Sequence, residues 1–311
     1  MIRLPGLFAV IFLLSLQTPL WSQKIVYSEP DREDSRRMDF EIVGKINGNF
    51  LFYKNYRNKA YIAALNNDMQ QVSKVEQDYL PNSDRLVKVE FFPYQDFAYM
   101  IFQYTKKNVV YCKAARIDGF GNRTGEIVDL DTAHIGGSDE SKIYTIVSSD
   151  DKSKLAVFKI NSRNKRLFLL TTLLFNDKLE LLKRSAMEIP MEERNENLGE
   201  FSLDNEGDMV FSKFLRNYND NISAASMVVK KAMADSLWYV PLNVEKNMLD
   251  EIQIKVDNAN RRYMVTSYYY KEKRGNIEGM YFYVWDKDSR LTVMENTHVF
   301  SDQLRQEARG D

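Results

Sequence analysis

The feature that most constrains this chain is a spacing. Five stretches share one layout, in which an apolar strand, a tight polar turn and a second, aromatic-rich strand follow one another: FEIVGKINGNFLFYKNY, VKVEFFPYQDFAYMIFQY, IYTIVSSDDKSKLAVFKI, LGEFSLDNEGDMVFSKF and IQIKVDNANRRYMVTSYYY. With their turns placed at Asn47, Tyr94, Asp150, Asp204 and Asp257, they recur at intervals of 47, 56, 54 and 53 residues. The residues vary while the layout persists, which marks a repeated supersecondary unit rather than a short motif.

Each aromatic strand leaves room for another hairpin. YIAALNNDMQQVSKV, RLFLLTTLLFNDKLELLKR and MYFYVWDKDSRLTVMEN set turns at Asn66-Asn67-Asp68, Asn176-Asp177 and Asp286-Lys287-Asp288, and Asp118-Gly119 supplies one in the second unit. Four short strands in every fifty or so residues predict an all-β chain built as a β-propeller, with sheets packed face to face around an axis. Two β-sandwiches are the alternative, and they account less well for the period. Five units either close a small propeller, with a short strand Ile25 to Tyr27 completing a terminal blade, or form an open segment of a longer product. The polar tail SDQLRQEARGD reads as a connection onward and supports the open segment. In the fourth unit Ala224 to Ala234 are good helix formers, but the repeat predicts strands on either side of Asp235 instead.

The first 22 residues, MIRLPGLFAVIFLLSLQTPLWS, place Arg3 before an apolar run, Leu7 to Leu16, and end in polar and turn residues. That is the order of a signal peptide cut after Ser22. A retained anchor is the alternative; Gln17 and Pro19 interrupt a run already short for a bilayer crossing. A charged leader, 23–39, then precedes the repeated domain, 40–311. The expected location is periplasmic or extracellular, with cell-surface association open. The 43 basic and 44 acidic side chains give a formal charge of −1, so no overall field recruits nucleic acid or an anionic membrane.

Candidate chemistry is sparse. Cys112 is the sole cysteine, so no intrachain disulfide forms, and its strand-like setting predicts a buried structural thiol rather than a nucleophile. His134 and His298 have no ligand spacing, and LDNEGDM, with Asp204, Asn205, Glu206 and Asp208, lacks the spacing of a calcium loop. The stretch reads as turn chemistry; no cofactor and no metal is expected. Glu90, Asp96, Asp129, Asp131, Glu200 and Glu278 keep a carbohydrate-active hydrolase open as the alternative, while Ser148, Ser149 and Ser267 lack a nucleophile elbow.

The aromatic content, 18 Tyr, 18 Phe and 3 Trp, fits filling between sheets. Along Met264 to Tyr270, alternation sends Met264, Thr266, Tyr268 and Tyr270 to one face and Val265, Ser267 and Tyr269 to the other. Arg57, Arg216, Arg261 and Tyr268 occupy comparable places in their repeats, near Lys54, Tyr56 and Tyr218, and are the ligand-binding candidates. They imply noncatalytic recognition or assembly, with a protein or a carbohydrate as partner.

These units, the leader ending WSQ and the stretch RRYMVTSYYYKEKRGNIEGMYFYVWD resemble uncharacterised exported β-propeller proteins of Bacteroidota-type bacteria. The resemblance spans most of Phe40 to Phe300 and implies placement in the periplasm or at the cell surface. It brings no active-site residue with it, and the paired signatures of WD and kelch repeats are missing.

Overall fold

The computed structural model describes residues 25–29, 38–56, 59–81, 85–135, 143–164, 166–217, 220–244, 247–272 and 275–309. The proposed signal peptide, most of the leader, Arg57 and Tyr218 lie outside them.

Local chemistry sets the hairpins. The first sheet runs β1 (Asp39–Ile46), β2 (Asn49–Tyr56), β3 (Lys59–Leu65) and β4 (Gln71–Glu76), and the second β5 (Leu86–Pro93), β6 (Phe97–Lys106), β7 (Val109–Asp118) and β8 (Arg123–His134). The third is β9 (Tyr144–Ser148), β10 (Lys154–Asn164), β11 (Leu167–Asn176) and β12 (Leu181–Pro190). Each is a four-stranded antiparallel meander. The fourth set is β13 (Glu196–Leu203), β14 (Met209–Arg216), β15 (Ile222–Lys230) and β16 (Leu237–Leu242). A two-residue bridge, β17 (Met248–Leu249), joins it to the fifth: β18 (Gln253–Asp257), β19 (Arg262–Tyr270), β20 (Gly279–Asp286) and β21 (Leu291–Val299). Strand β15 takes up most of the stretch with competing helical propensity, because pairing with β14 on one side and β16 on the other outweighs a weak local preference.

Asn, Asp and Gly hold the turns as read. Asp204 Oδ1, for example, accepts the backbone N–H groups of Glu206 (2.9 Å) and Asp208 (2.8 Å), and Gly207 takes φ +89°. Alternation then sorts the side chains. In β19, Tyr263, Val265, Ser267 and Tyr269 are buried while Met264, Thr266 and Tyr270 are half-buried and Tyr268 is exposed. In β11 successive residues enter opposite seams: Leu170 and Leu174 face the fourth sheet, Leu173 and Phe175 the second. A strand apolar on both faces is what a sheet covered on both sides requires.

Four apolar clusters fill four seams, between sheets one and two, two and three, three and four, and four and five. Among the described residues no such cluster joins the fifth sheet to the first, so the propeller-like arc is open. Ile25 to Tyr27 do not complete a blade: residues 25–29 form no strand, and Ile25 and Tyr27 are 69% and 82% exposed. Three residues beside a charged segment offer too little apolar surface to offset the cost of ordering them. The polar tail forms a short helix, α1 (Asp302–Arg309), started by Ser301, whose Oγ accepts the Leu304 N–H at 3.2 Å. No helix of the described residues is long and apolar enough to cross a membrane.

Candidate functional site

The first turn of each sheet lies at one end of the arc, and these turns are strung together around the axis. Asn47 N–H donates to the Gln95 carbonyl (2.8 Å), Tyr94 OH to the Lys152 carbonyl (3.1 Å), Asp151 N–H to Asn205 Oδ1 (3.2 Å) and Asn205 N–H to Asn258 Oδ1 (2.9 Å). Asn258 Nδ2 reaches on to Asp150 Oδ2 at 3.0 Å.

At this turn end Asp204, Glu206 and Asp208 bring carboxylate oxygens within 4.8 Å of one another, the one grouping of metal-ligand type among the described residues. Lys287, from the β20–β21 turn, fills it. Its ammonium is 2.6 Å from Glu206 and 2.8 Å from Asp208 and also donates to Asp204, and the side chain is only 3% exposed. Tyr263 OH donates to Asp204 (2.8 Å) and Lys231 to Asp208 (2.7 Å). Arg261, at φ +56°, pairs with Glu206 and with Asp288 at 2.8 Å. The Arg261 guanidinium and the Lys287 ammonium pull the Glu206 carboxyl down to about 2. Burial would raise Asp208, but Lys231 and Lys287 outweigh it and hold it below the ordinary carboxylate value. A cavity of about 90 Å³ beside these groups is bounded by the same network.

The other sequence candidates fall elsewhere. Arg216 ends β14 and Tyr268 lies near the end of β19, each some 20 Å along its strand from the turns just described, given about 3.3 Å per residue. Arg216 donates to the Asp220 carbonyl (2.5 Å) and lies over the Phe214 ring. Tyr268 is 45% exposed and meets Phe300 edge-on at 6.1 Å. Arg216 and Tyr268 therefore share one end of the arc and Arg261 occupies the other.

Seam chemistry absorbs Asp131 and Cys112, and pairing within a sheet or with the C-terminal helix takes up other carboxylates. Between sheets two and three Lys159 donates to Asp131 (2.7 Å), to the Thr132 carbonyl (3.1 Å) and to Tyr144 OH (3.3 Å), while Arg184 pairs with Asp131 at 3.0 Å. Burial would raise Asp131, but Lys159, Tyr144 and Arg184 outweigh it and keep it low. Cys112 is fully buried and burial pushes its thiol well up, the opposite of nucleophile activation. Asp129 pairs with Lys113 at 2.7 Å, Glu90 with Lys88 at 2.7 Å, and Glu278 with Arg305 at 3.2 Å. Two carboxyls stand above the ordinary value, each chiefly through burial: Glu41 on β1, with Glu90 adding repulsion against Lys88, and Glu200 on β13, beside Glu251.

A groove between sheets one and two was not foreseen. Phe102, Tyr104 and Lys106 alternate along β6, with Lys113 and Tyr111 opposite Phe102 and Tyr104 on β7, so all five share a face. From the described parts of the connector between β4 and β5, Tyr79, Pro81 and Arg85 line a cavity of about 240 Å³ on this face. Among the described residues its lining holds three cations, Arg85, Lys106 and Lys113, and no carboxylate. Tyr104 stacks on Tyr111 at 5.0 Å and lies near-parallel to Phe102 at 6.2 Å, which fixes its ring. The signal was present in FQYTKKNVVYCK as alternating aromatic and basic residues on paired strands. What the sequence did not carry was the connector that turns this face into a cavity. The groove lies at the same end as Arg216 and Tyr268.

No family model and no curated protein matches the chain. Among solved structures, a prolyl endopeptidase superposes with a TM-score of 0.47 at 13% identity, covering 85% of this chain and 37% of its own. The uncharacterised protein lmo1340 of Listeria monocytogenes EGD-e gives 0.44 at 10% identity, over 89% of this chain and 70% of that one. A mutant Synechocystis apocarotenoid oxygenase gives 0.42 at 8%, over 80% and 57%. This chain spans little more than a third of the prolyl endopeptidase. The likenesses concern the shape of repeated sheets and carry no chemistry over.

Proposed function

We propose that the chain is an exported, noncatalytic recognition protein that uses the end of the arc holding the groove. The observation behind this reading is the groove itself: a concave site with three cationic side chains, an aromatic floor fixed by stacking and, among the described residues, no lining carboxylate. Rigid strands position Tyr104, Lys106 and Lys113, so little ordering cost attends binding. Arg216 and Tyr268 extend the same end, whereas Arg261 is held by Glu206 and Asp288 at the other. Export rests on the N-terminal order of basic, apolar and polar residues; mass spectrometry of the native product should find Gln23 or a close neighbour at its terminus. Retention of the whole apolar run would count against it. Recognition is tested by screening soluble glycans and surface proteins against the purified chain, with Arg85→Ala/Lys106→Ala as the site control. Equal binding of an identified partner by both proteins would remove the groove from this role.

The hydrolase reading has one observation in its favour, the raised carboxyls of Glu41 on β1 and Glu200 on β13. Release of shortened products from a glycan, abolished in Glu41→Gln or Glu200→Gln, would replace recognition with catalysis.

A further inference from the structure

We infer that the groove between the first two sheets takes one acidic sugar residue, its carboxylate held by Arg85 and Lys106 and its ring laid on Tyr104. The inference rests on the recognition reading and names its ligand class. Three features of the cavity lead to it.

The first is charge. Of the three lining cations Lys113 is already paired with Asp129, while Arg85 and Lys106 enter none of the ion pairs found among the described residues. Counting Asp129, the described side chains of the groove keep an excess of two positive charges on a chain whose formal net charge is −1. Arg85 and Lys106 are exposed at the rim, where a ligand carboxylate meets them without a large desolvation cost. The second is the floor. Tyr104 is half-buried and fixed by its ring neighbours, and Phe102 beneath is 1% exposed, so the floor offers a rigid apolar face with a phenol at its edge. The C–H face of a pyranose covers such a ring while its hydroxyls reach outward. An open-chain Asp or Glu side chain satisfies the cations and leaves the ring wet. The third is size. The cavity of about 240 Å³ falls below the roughly 300–1,000 Å³ of drug-sized pockets, which limits the occupant to a single ring, as part of a longer chain or alone.

The test is calorimetric titration of the full chain with galacturonate and glucuronate trisaccharides, against a neutral galactose trisaccharide, adenosine monophosphate and a short glutamate peptide. One-site binding of at least one acidic trisaccharide is expected, with the neutral sugar at least about tenfold weaker, the worth of one charged hydrogen bond. Added salt should weaken the acidic sugar. Tyr104→Ala, and separately Arg85→Ala/Lys106→Ala, should each cost about tenfold or more with circular dichroism unchanged. If Tyr104→Ala does not fold, Lys106→Glu with the exposed rim alone altered gives the same reading. Absence of binding by both acidic sugars, equal binding of the neutral one, tighter binding of the nucleotide or peptide, or indifference to these variants overturns the assignment. Mass spectrometry of the sugar after incubation separates the two levels: cleavage refutes noncatalytic recognition and leaves the ligand class standing, whereas intact sugar without binding refutes the ligand class alone.

Discussion

At Lys287 one side chain answers three carboxylates. Removing it as Lys287→Met leaves Asp204, 3% exposed, without its counter-charge and Asp208, 4% exposed, with Lys231 alone, and such a loss costs about 3–5 kcal/mol. Urea denaturation should show it. Arg261→Ala removes ion pairs from a solvent-screened rim and should shift the urea midpoint far less than Lys287→Met does. Comparable losses in the two variants would refute the division between interior lock and surface pair. The Asp204 turn was legible because its chemistry is local. The identity of its counter-ion was not, since Lys287 lies 83 residues away and only sheet packing brings it back.

At the scale of elements, the seams depend on a few polar clamps between sheets. Gln103 on β6 donates Nε2 to the Tyr144 carbonyl (2.8 Å) and accepts the Tyr144 N–H (2.9 Å), holding the start of the third sheet against the second while 1% exposed. Gln103→Leu should therefore cost about 1–3 kcal/mol for each orphaned backbone group, read from the shift in denaturation midpoint. Gly121, at φ +84°, would set a Cβ 2.9 Å from Ile62 of the first sheet. Gly121→Ala combines strain with collision and should destabilise by about 1–3 kcal/mol. A thermal shift within error for both variants would mean that the seams yield more readily than this packing implies. The hairpins and their period could be read from the sequence because alternation and turn residues act over a few positions. The groove could not, because it needs β6, β7 and the β4–β5 connector at once.

For the whole molecule, an open arc of packed sheets behaves as a one-dimensional array whose ends are least protected. β10 and β11 are covered on both faces, whereas β21 is exposed along nearly all its length and β1 along its first half. Hydrogen exchange should be slowest in the third sheet and fastest in β21 and β1; uniform protection would refute the gradient. Acid should act through the depressed carboxyls. Glu206, Asp208 and Asp131 favour the folded state when ionised, so their contribution is present above the ordinary carboxylate range and lost as pH falls through the folded values. For Glu206 that window runs from 4.5 down to about 2. A midpoint of unfolding rising toward lower pH across that window would reverse the sign.

Lys287 also bears on how the turn end responds to its medium. A counter-ion carried on the chain has a local concentration set by geometry and not by supply, so it cannot be dialysed away or sequestered. Where a loop of three carboxylates held by a diffusible cation would loosen in a chelator, this one should melt at the same temperature in EDTA as in calcium. A drop in EDTA would show that an ion shares the place with the lysine. With the ammonium tethered, the fourth and fifth turns should keep their shape as water hardness varies.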